Sequence, residues 1–339
     1  MVEVNAVEAV EAVEAPALLP SPASEPSTAG AMPAVQGESA EALAERWLQY
    51  LDVSPKTSAV YNGAIRVFLR WLRERGIATP SRTDILAYRD WLRQTHAPAT
   101  VSLYMSAVRL LFAWAEQEGL VASDVARRVK GAKLDRGHKR DCLTSAQAGR
   151  LLESVDRTDL RGLRDYAILA LMLTTGLRTI SVVRANVEDL GTSGDAAILR
   201  YQGKGHDDRT EFVKLAPQTD AAIRAYLAAR GPAAPDAPLF AVVSNRHLNG
   251  RMTTRALSGM VKSRLEASGF SSPRLTAHSL RHTAATLSLL TGGTVEETQR
   301  LLGHASIETT MIYVHQIDRA ASRLEEQIAG AVFGKAEGE

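Results

Sequence analysis

The sequence predicts a mainly α-helical protein with a small β-hairpin, divided between a helical bundle and a larger second domain. Three observations carry this expectation. Apolar residues recur three and four positions apart from Ser39 almost to the C-terminus. One stretch, "AAILRYQGKGHDDRTEFVKLAP" (residues 196–217), breaks that rhythm with two short β-like segments around a Gly-rich turn, the pattern of a hairpin. A third, "RRVKGAKLDRGHKRDC" (residues 127–142), has two glycines and no apolar periodicity, and so reads as a linker between two folded parts. A chain of 339 residues that is 45% hydrophobic can bury two cores.

Residues 1–37 contain "VEAVEAVEA" and a Pro/Ser/Ala run that fits neither a helix face nor a strand; they read as a disordered tail or, alternatively, a partner-binding arm. Residues 38–130 form the first domain. "SAEALAERWLQYL" starts at a capping Ser39 and keeps Leu43, Trp47 and Leu51 on one face. "SPKTSAVYNGAIRVFLRWLRERG" has a Ser-Pro start and stops at Gly76. "SRTDILAYRDWLRQTH" and "APATVSLYMSAVRLLFAWAEQEG" repeat the scheme, the latter ending at Gly119. Trp47, Trp71, Trp91 and Trp114 all fall here at helical spacing, which indicates packing rather than nucleic-acid stacking.

The linker proper covers 131–142, and the basic strap that runs into it holds Arg127, Arg128, Lys130, Lys133, Arg136, Lys139 and Arg140 against Asp135 and Asp141. It reads equally as a solvated hinge or as a segment that crosses a phosphate backbone. The second domain, 143–316, begins with the capped "LTSAQAGRLLESV" and the nearly all-apolar "RDYAILALMLTTG", expected to be a buried helix. After the hairpin, helical patterns follow at 217–230, 253–268, 276–290, 294–302, 306–313 and 317–331. Residues 317–339 are set apart as a C-terminal helix and tail.

Charge and cysteine content narrow the class. The net charge is +2, but residues 1–40 hold six acids and no Lys or Arg, so the rest carries 40 bases against 32 acids, or +8. That body suits a polyanionic partner. One cysteine, Cys142, excludes an intramolecular disulfide and fits a reducing compartment. No apolar run is long enough to span a membrane, and the N-terminus lacks the basic start of a signal peptide.

Several residues of the second domain could carry chemistry, each with a bland alternative. Arg178, in "TTGLRTISVV", follows a helix-ending glycine; it either pairs with the last carbonyls or aims its fork at a phosphate. Lys204 stands at the hairpin tip between Gly203 and Gly205, solvated or reaching into a groove. His278 and Arg281, in "TAHSLRHTAATLSLL", share a helix face, as a surface pair or as part of a site. In "LLGHASIETTMIYVHQ", His304 stands at a helix junction and Tyr313 follows nine positions later, as a core aromatic or a nucleophile. A tyrosine hydroxyl with its usual pKa of about 10 needs cationic or hydrogen-bonding neighbours to attack anything. Together these residues make a phosphoryl-transfer set: nucleophile, charge clamps and proton carriers.

The ordered set Arg178, Lys204, His278, Arg281, His304, Tyr313 resembles the active site of the tyrosine recombinases, the lambda-integrase family. "TGLR", the hairpin "GKG…R", "HSLRHTAAT" and "LLGHASIETTMIYVH" match in order, wording and spacing, and the resemblance covers roughly residues 40–330. It implies a core-binding helical domain joined to a catalytic domain. It also implies attack of Tyr313 on a scissile phosphate, a 3′-phosphotyrosyl link, and strand exchange through a four-way Holliday junction. Arg178 and Arg281 would hold the non-bridging oxygens, Lys204 would protonate the leaving 5′ oxygen, His278 would assist proton transfer with the tyrosine, and His304 would hydrogen-bond the phosphate. The implied partners are double-stranded DNA with inverted-repeat core sites and a homotetramer on two duplexes. No cofactor, metal or membrane is expected, and the location is cytoplasmic and nucleoid-associated. Integration of a mobile element, excision, inversion and resolution are all compatible with this set. A type IB topoisomerase or a DNA-binding protein with an impaired site are the alternatives.

Two departures from the family pattern stand out. Ser181 occupies the place of the usual glutamate three residues after the first arginine, which bears on orientation or rate. Residues 1–37 are too short for an arm-binding domain, so the simple two-domain kind is expected. Leu324, Ile328 and Val332 follow at helical spacing and either close the domain's own core or, as in the family, dock on a neighbouring protomer. His282, His315, Tyr201 and Tyr226 have no matching position and are left outside the set.

Overall fold

Four helices with a shared aromatic centre form the first of two compact units, which divide between Arg136 and Gly137. The computed structural model describes residues 40–133, 141–203, 209–243, 248–321 and 323–333. The N-terminal tail, the expected cap Ser39 and the strap residues Arg136, Lys139 and Arg140 lie outside the described residues, as does Lys204.

In the first unit, α1 (Ala40–Tyr50), α2 (Pro55–Glu74), α3 (Arg82–Thr95) and α4 (Pro98–Gln117) form where the sequence pattern puts them. Ser54 caps α2 by accepting from the Thr57 N–H at 3.2 Å, with Pro55 in the first turn. Ser81 caps α3 in a reciprocal box with Asp84. Trp47, Phe68, Trp71, Tyr88 and Trp114 are buried between the helices, and Trp91 is half-buried. Each fully buried apolar side chain of this size stabilises the bundle by about 1.5–3 kcal/mol. The strap begins inside this unit, because Val129 is buried in the same core. Arg109 donates to Val129 O at 3.0 Å, and Arg127 pairs with Glu116, while Arg128, Lys130 and Lys133 are exposed.

The second unit is built around α6 (Leu160–Thr175), which follows α5 (Ser145–Glu153). Asp159 caps it, and the run from Ala167 to Leu173 is buried. Its sequence is apolar nearly all round because α5, α8 (Pro217–Arg230), α9 (Thr254–Ala267) and α10 (Ala277–Leu290) pack on different sides of it. Between α7 (Thr179–Arg184) and α8 runs an antiparallel sheet of β1 (Leu190–Ser193), β2 (Ala196–Tyr201) and β3 (Glu211–Lys214), in that order. The expected hairpin is β2 and β3, with Tyr201 opposite Glu211. Strand β1 adds to it with Leu190 opposite Leu199; its short "LGTS" carries no alternation from which a strand could be read.

The chain ends with α11 (Val295–Leu302), α12 (Ile307–Ala321) and α13 (Leu324–Phe333). Here the sequence pattern is corrected. Helix α12 continues through residues 314–316, which the pattern leaves between two helices, because no Gly or Pro interrupts "YVHQI".

One buried charge cluster pins this unit together. Asp165 on α6 accepts from Arg164 (3.0 and 2.7 Å) with one oxygen and from Arg264 on α9 (3.0 and 2.7 Å) with the other. Arg164 also donates to Ala241 O at 3.1 Å. Removing the carboxylate leaves two guanidinium groups without their shared acceptor, one of them buried. Asp165→Ala is therefore expected to lower unfolding stability by about 3–5 kcal/mol, read as a reduced midpoint in urea.

Candidate active site

The end of α6 sets the position of the first arginine. Gly176 closes the helix in the left-handed conformation at φ 65°, its N–H bonded to Met172 O. A Cβ there would stand 2.5 Å from Leu302 Cδ2, so the glycine also permits the close approach of α11. The chain then turns through buried Leu177, and Arg178 takes the N-cap position of α7, half-buried. Ser181 lies in the next turn, buried, with its N–H bonded to Arg178 O at 3.0 Å.

The second arginine joins two helix ends. Arg281, 3% exposed on α10, donates from Nη1 to Gly176 O and from Nη2 to Leu302 O, both at 2.7 Å. Those carbonyls belong to the last turns of α6 and α11, where no helical partner remains for them. The two halves of one planar fork thus fix the guanidinium and the two segments it joins.

Helix α11 stops at Gly303, also left-handed at φ 59°, and the chain passes to His304. The His304 backbone is held twice by Gln299: its N–H donates to Gln299 O at 3.1 Å, and Gln299 Nε2 donates to His304 O at 2.9 Å. Its ring Nδ1 lies 2.9 Å from the buried Thr310 hydroxyl. The ring is parallel to that of Tyr313, with centroids 6.5 Å apart and planes 5° apart. Burial first, and then the charges of Arg281, Arg178 and His278, push the His304 pKa down to about 3.

Tyr313 points inward from α12 and is 3% exposed. Burial pushes its hydroxyl up to about 12, against the pull of Arg281 and Arg178; Cys142 adds to the rise. Its oxygen lies 2.5 Å from Nδ1 of His282. His278, one helical turn before His282, packs its ring edge to face on the His282 ring at 4.6 Å between centroids. Arg178, His278, Arg281, His304 and Tyr313 thus come together as the sequence order anticipates. Lys204 is outside the described residues, but the hairpin that carries it reaches this site: a Cβ on Gly303 would lie 3.4 Å from the hydroxyl of Tyr201 on β2.

Two residues left out of the sequence set stand in the site. His282 holds the contact with the tyrosine hydroxyl, where the resemblance assigns the proton partnership to His278. The four-residue step from 278 to 282 keeps both on the face of α10 that meets α12, and 282 is the one level with Tyr313. That spacing was the available signal. Tyr201 hydrogen-bonds Glu211 and feels the charges of Arg178 and Arg281; burial and Glu211 raise its pKa. It brings a carboxylate to a site where position 181 supplies none. The other two excluded residues stay apart: Tyr226 is buried with its hydroxyl on the Ala241 N–H at 3.1 Å, and His315 is exposed.

The model of the Phage integrase family matches residues 141–319, and that of the phage integrase N-terminal SAM-like domain matches residues 44–119. Tyrosine recombinase XerC of Herpetosiphon aurantiacus is 31% identical over 82% of this chain and 94% of its own length. Tyrosine recombinase XerD of Corynebacterium glutamicum is 29% identical over 81% of this chain and 94% of its own length. The match to tyrosine recombinase XerC of Pelobacter propionicus, at 36% identity, spans 51% of this chain and 55% of that protein. Among solved structures, XerH site-specific recombinase bound to palindromic difH substrate superposes with a TM-score of 0.68 at 19% identity, covering 86% of each chain. A lambda integrase dimer bound to a COC' core site gives 0.63 at 19% identity, covering 79% of this chain and 96% of that one. These two likenesses concern the fold.

The depressed His304 has a direct consequence for stability. The unfolded chain takes up a proton on this histidine below its ordinary pKa of about 6.5, whereas the folded chain resists until about pH 3. The unfolded state thus binds more protons in that window, so stability falls as pH drops through it and is unaffected above it. We expect the His304 ring to stay neutral in an NMR titration down to about pH 4, and His304→Gln to remove this part of the acid sensitivity.

Proposed function

We propose, for a chain that belongs to the phage integrase family and is a tyrosine site-specific recombinase, that it breaks and rejoins DNA through a covalent bond between Tyr313 and a 3′-phosphate. The observation that carries this reading is the placement of the Tyr313 hydroxyl on His282, within the fields of Arg178 and Arg281.

In the proposed step the Tyr313 oxygen attacks phosphorus and the bond to the 5′ oxygen breaks. Charge builds on the non-bridging oxygens, where Arg178 and Arg281 act. Arg281 is already oriented by two carbonyls, so little reorganisation is needed as that charge develops. Lys204 protonates the leaving 5′ oxygen, and His304, neutral at physiological pH, hydrogen-bonds the phosphate. The 5′-hydroxyl of a partner duplex then attacks the phosphotyrosyl bond. The energy of the original phosphodiester is retained in the protein–DNA link, so the exchange runs without a nucleotide cofactor.

Strand exchange requires several protomers, and we assign a homotetramer on two duplexes with inverted-repeat core sites, joined transiently by a Holliday junction. Lambda integrase is described as a tetramer bound to a Holliday junction, which supports this reading by fold likeness. The exposed basic residues Arg128, Lys130 and Lys133 suit contact with the phosphate backbone. Its place of action is the cytoplasm, at the nucleoid. Among the described residues no helix is long and apolar enough to cross a membrane.

Helix α13 supplies the link between protomers in this reading. Leu324, Ile328, Val332 and Phe333 are 60–81% exposed and form an apolar face that is left open to solvent among the described residues. A second copy of this chain is the occupant we assign to it.

Two experiments test these assignments. A nicked duplex incubated with the protein should yield a covalent adduct at the 3′ end of the cut strand, with Tyr313 as the attached residue and no adduct from Tyr313→Phe. An adduct at the 5′ end, or plasmid relaxation without recombinant product, would oppose this mechanism. Ile328→Asp should lower the yield of multi-protomer complexes on DNA at least tenfold in gel-shift assays, while binding of one protomer to a half-site stays unchanged.

A further inference from the structure

A tyrosine that attacks a phosphate must first lose its proton, and the Tyr313 hydroxyl, raised to about 12, is protonated at neutral pH. Some group must therefore receive that proton during the attack. Lys204 serves the other oxygen in the mechanism above, and His304 bonds through Nδ1 to Thr310 while its ring lies flat beside that of Tyr313. His282 lies within hydrogen-bonding distance of the hydroxyl, with Nδ1 at 2.5 Å from Oη.

We propose that His282 accepts the Tyr313 proton through Nδ1 as the tyrosine oxygen bonds to phosphorus, and returns it when the phosphotyrosyl bond is broken. The inference rests on the reading of Tyr313 as nucleophile. In the competent tautomer the His282 proton is on Nε2 and Tyr313 donates to Nδ1. On cleavage, the Oη–P bond forms and the P–O5′ bond breaks. The tyrosyl proton moves to Nδ1, giving an imidazolium, and the 5′ oxygen takes a proton from the general acid. On rejoining, the incoming 5′-hydroxyl gives its proton back to that acid, and the departing Tyr313 oxygen recovers its own from His282. Protons balance over the cycle without exchange with bulk water.

The surroundings suit a relay of this kind. His282 is 7% exposed and Tyr313 is 3% exposed, so water reaches the hydrogen bond poorly. The ring is braced by His278 at 4.6 Å and by Tyr313 itself at 5.4 Å between centroids. Among the described residues, the titratable and charged groups that bear on the pair include His278 on α10, His304 before α12, Arg178 and Arg281, and Cys142 ahead of α5. A core histidine that merely satisfies a buried hydroxyl would show the same static bond, and the test separates the two.

The probe is a duplex captured from a randomised library as a covalent adduct of the full-length parent. Its single-turnover cleavage rate is then measured with the parent, His282→Gln and His282→Phe from pH 7 to pH 10. The glutamine keeps a hydrogen-bond acceptor near the hydroxyl but takes up no proton. We expect both variants to cleave on the order of 100-fold more slowly at pH 7. We also expect the gap to close with rising pH, as hydroxide replaces the missing base. A parental rate for His282→Gln, or a gap constant from pH 7 to pH 10, overturns the proposal, since either marks a purely positional role. Should His282→Phe fail to fold, the glutamine variant and its pH profile decide alone. If the parent captures no DNA at all, the nucleophile reading itself falls, and that outcome is distinct from parent and variants cleaving alike.

Discussion

The geometry of the site depends on one interaction, the fork of Arg281 across the carbonyls of Gly176 and Leu302. It is buried, charge-assisted and bidentate, and it satisfies two helix-end acceptors that would otherwise be orphaned in the protein interior. Everything else in the site is placed relative to the two segments it joins. Arg178 lies two residues beyond one carbonyl, His304 two residues beyond the other, and Tyr313 returns on the helix that follows. The left-handed glycines at 176 and 303 make the arrangement sterically possible, since each ends its helix within reach of the fork.

The electrostatics follow from that geometry. Burial first, and then the two arginines, hold the His304 ring neutral, while the same arginines pull against the desolvation that raises Tyr313. The same fields reach Tyr201 at the end of β2. The family pattern leads one to expect an acid three residues beyond Arg178, where this chain has Ser181. The carboxylate that approaches this end of the site is that of Glu211, carried on β3 and bonded to Tyr201. A recombinase site needs positive potential for the phosphate, and its tyrosine must still be able to give up a proton. The short bond to His282 answers the second need.

The first unit is organised differently. Its centre is an aromatic cluster in which the ring of Tyr88 packs against Phe68 at 4.9 Å and Trp71 at 5.4 Å. This is apolar packing on helices cut by their own caps and glycines, with few polar constraints. The basic strap emerges from it with Val129 still buried, so its first charges are displayed from a fixed backbone.

The sequence by itself determined most helices of both units, though not the short α7 or the length of α12, together with several of their caps, the hairpin and the order in which Arg178, His278, Arg281, His304 and Tyr313 occur. Each of these depends on interactions within a few residues: a capping side chain, a left-handed glycine, a repeat that puts residues on one face. Three features were decided only by the tertiary structure. The first is that β1 pairs with β2, which depends on a partner strand and not on the weak pattern of "LGTS". The second is that Tyr201 and Glu211 reach the helix junction at Gly303, which depends on how the sheet lies against α11 and α12. The third is that His282, one turn beyond His278, meets the tyrosine hydroxyl. Helical spacing puts both histidines on one face of α10, but their level relative to Tyr313 is set by how α12 crosses that face. That crossing is fixed by packing between residues far apart in the chain, and local spacing does not encode it.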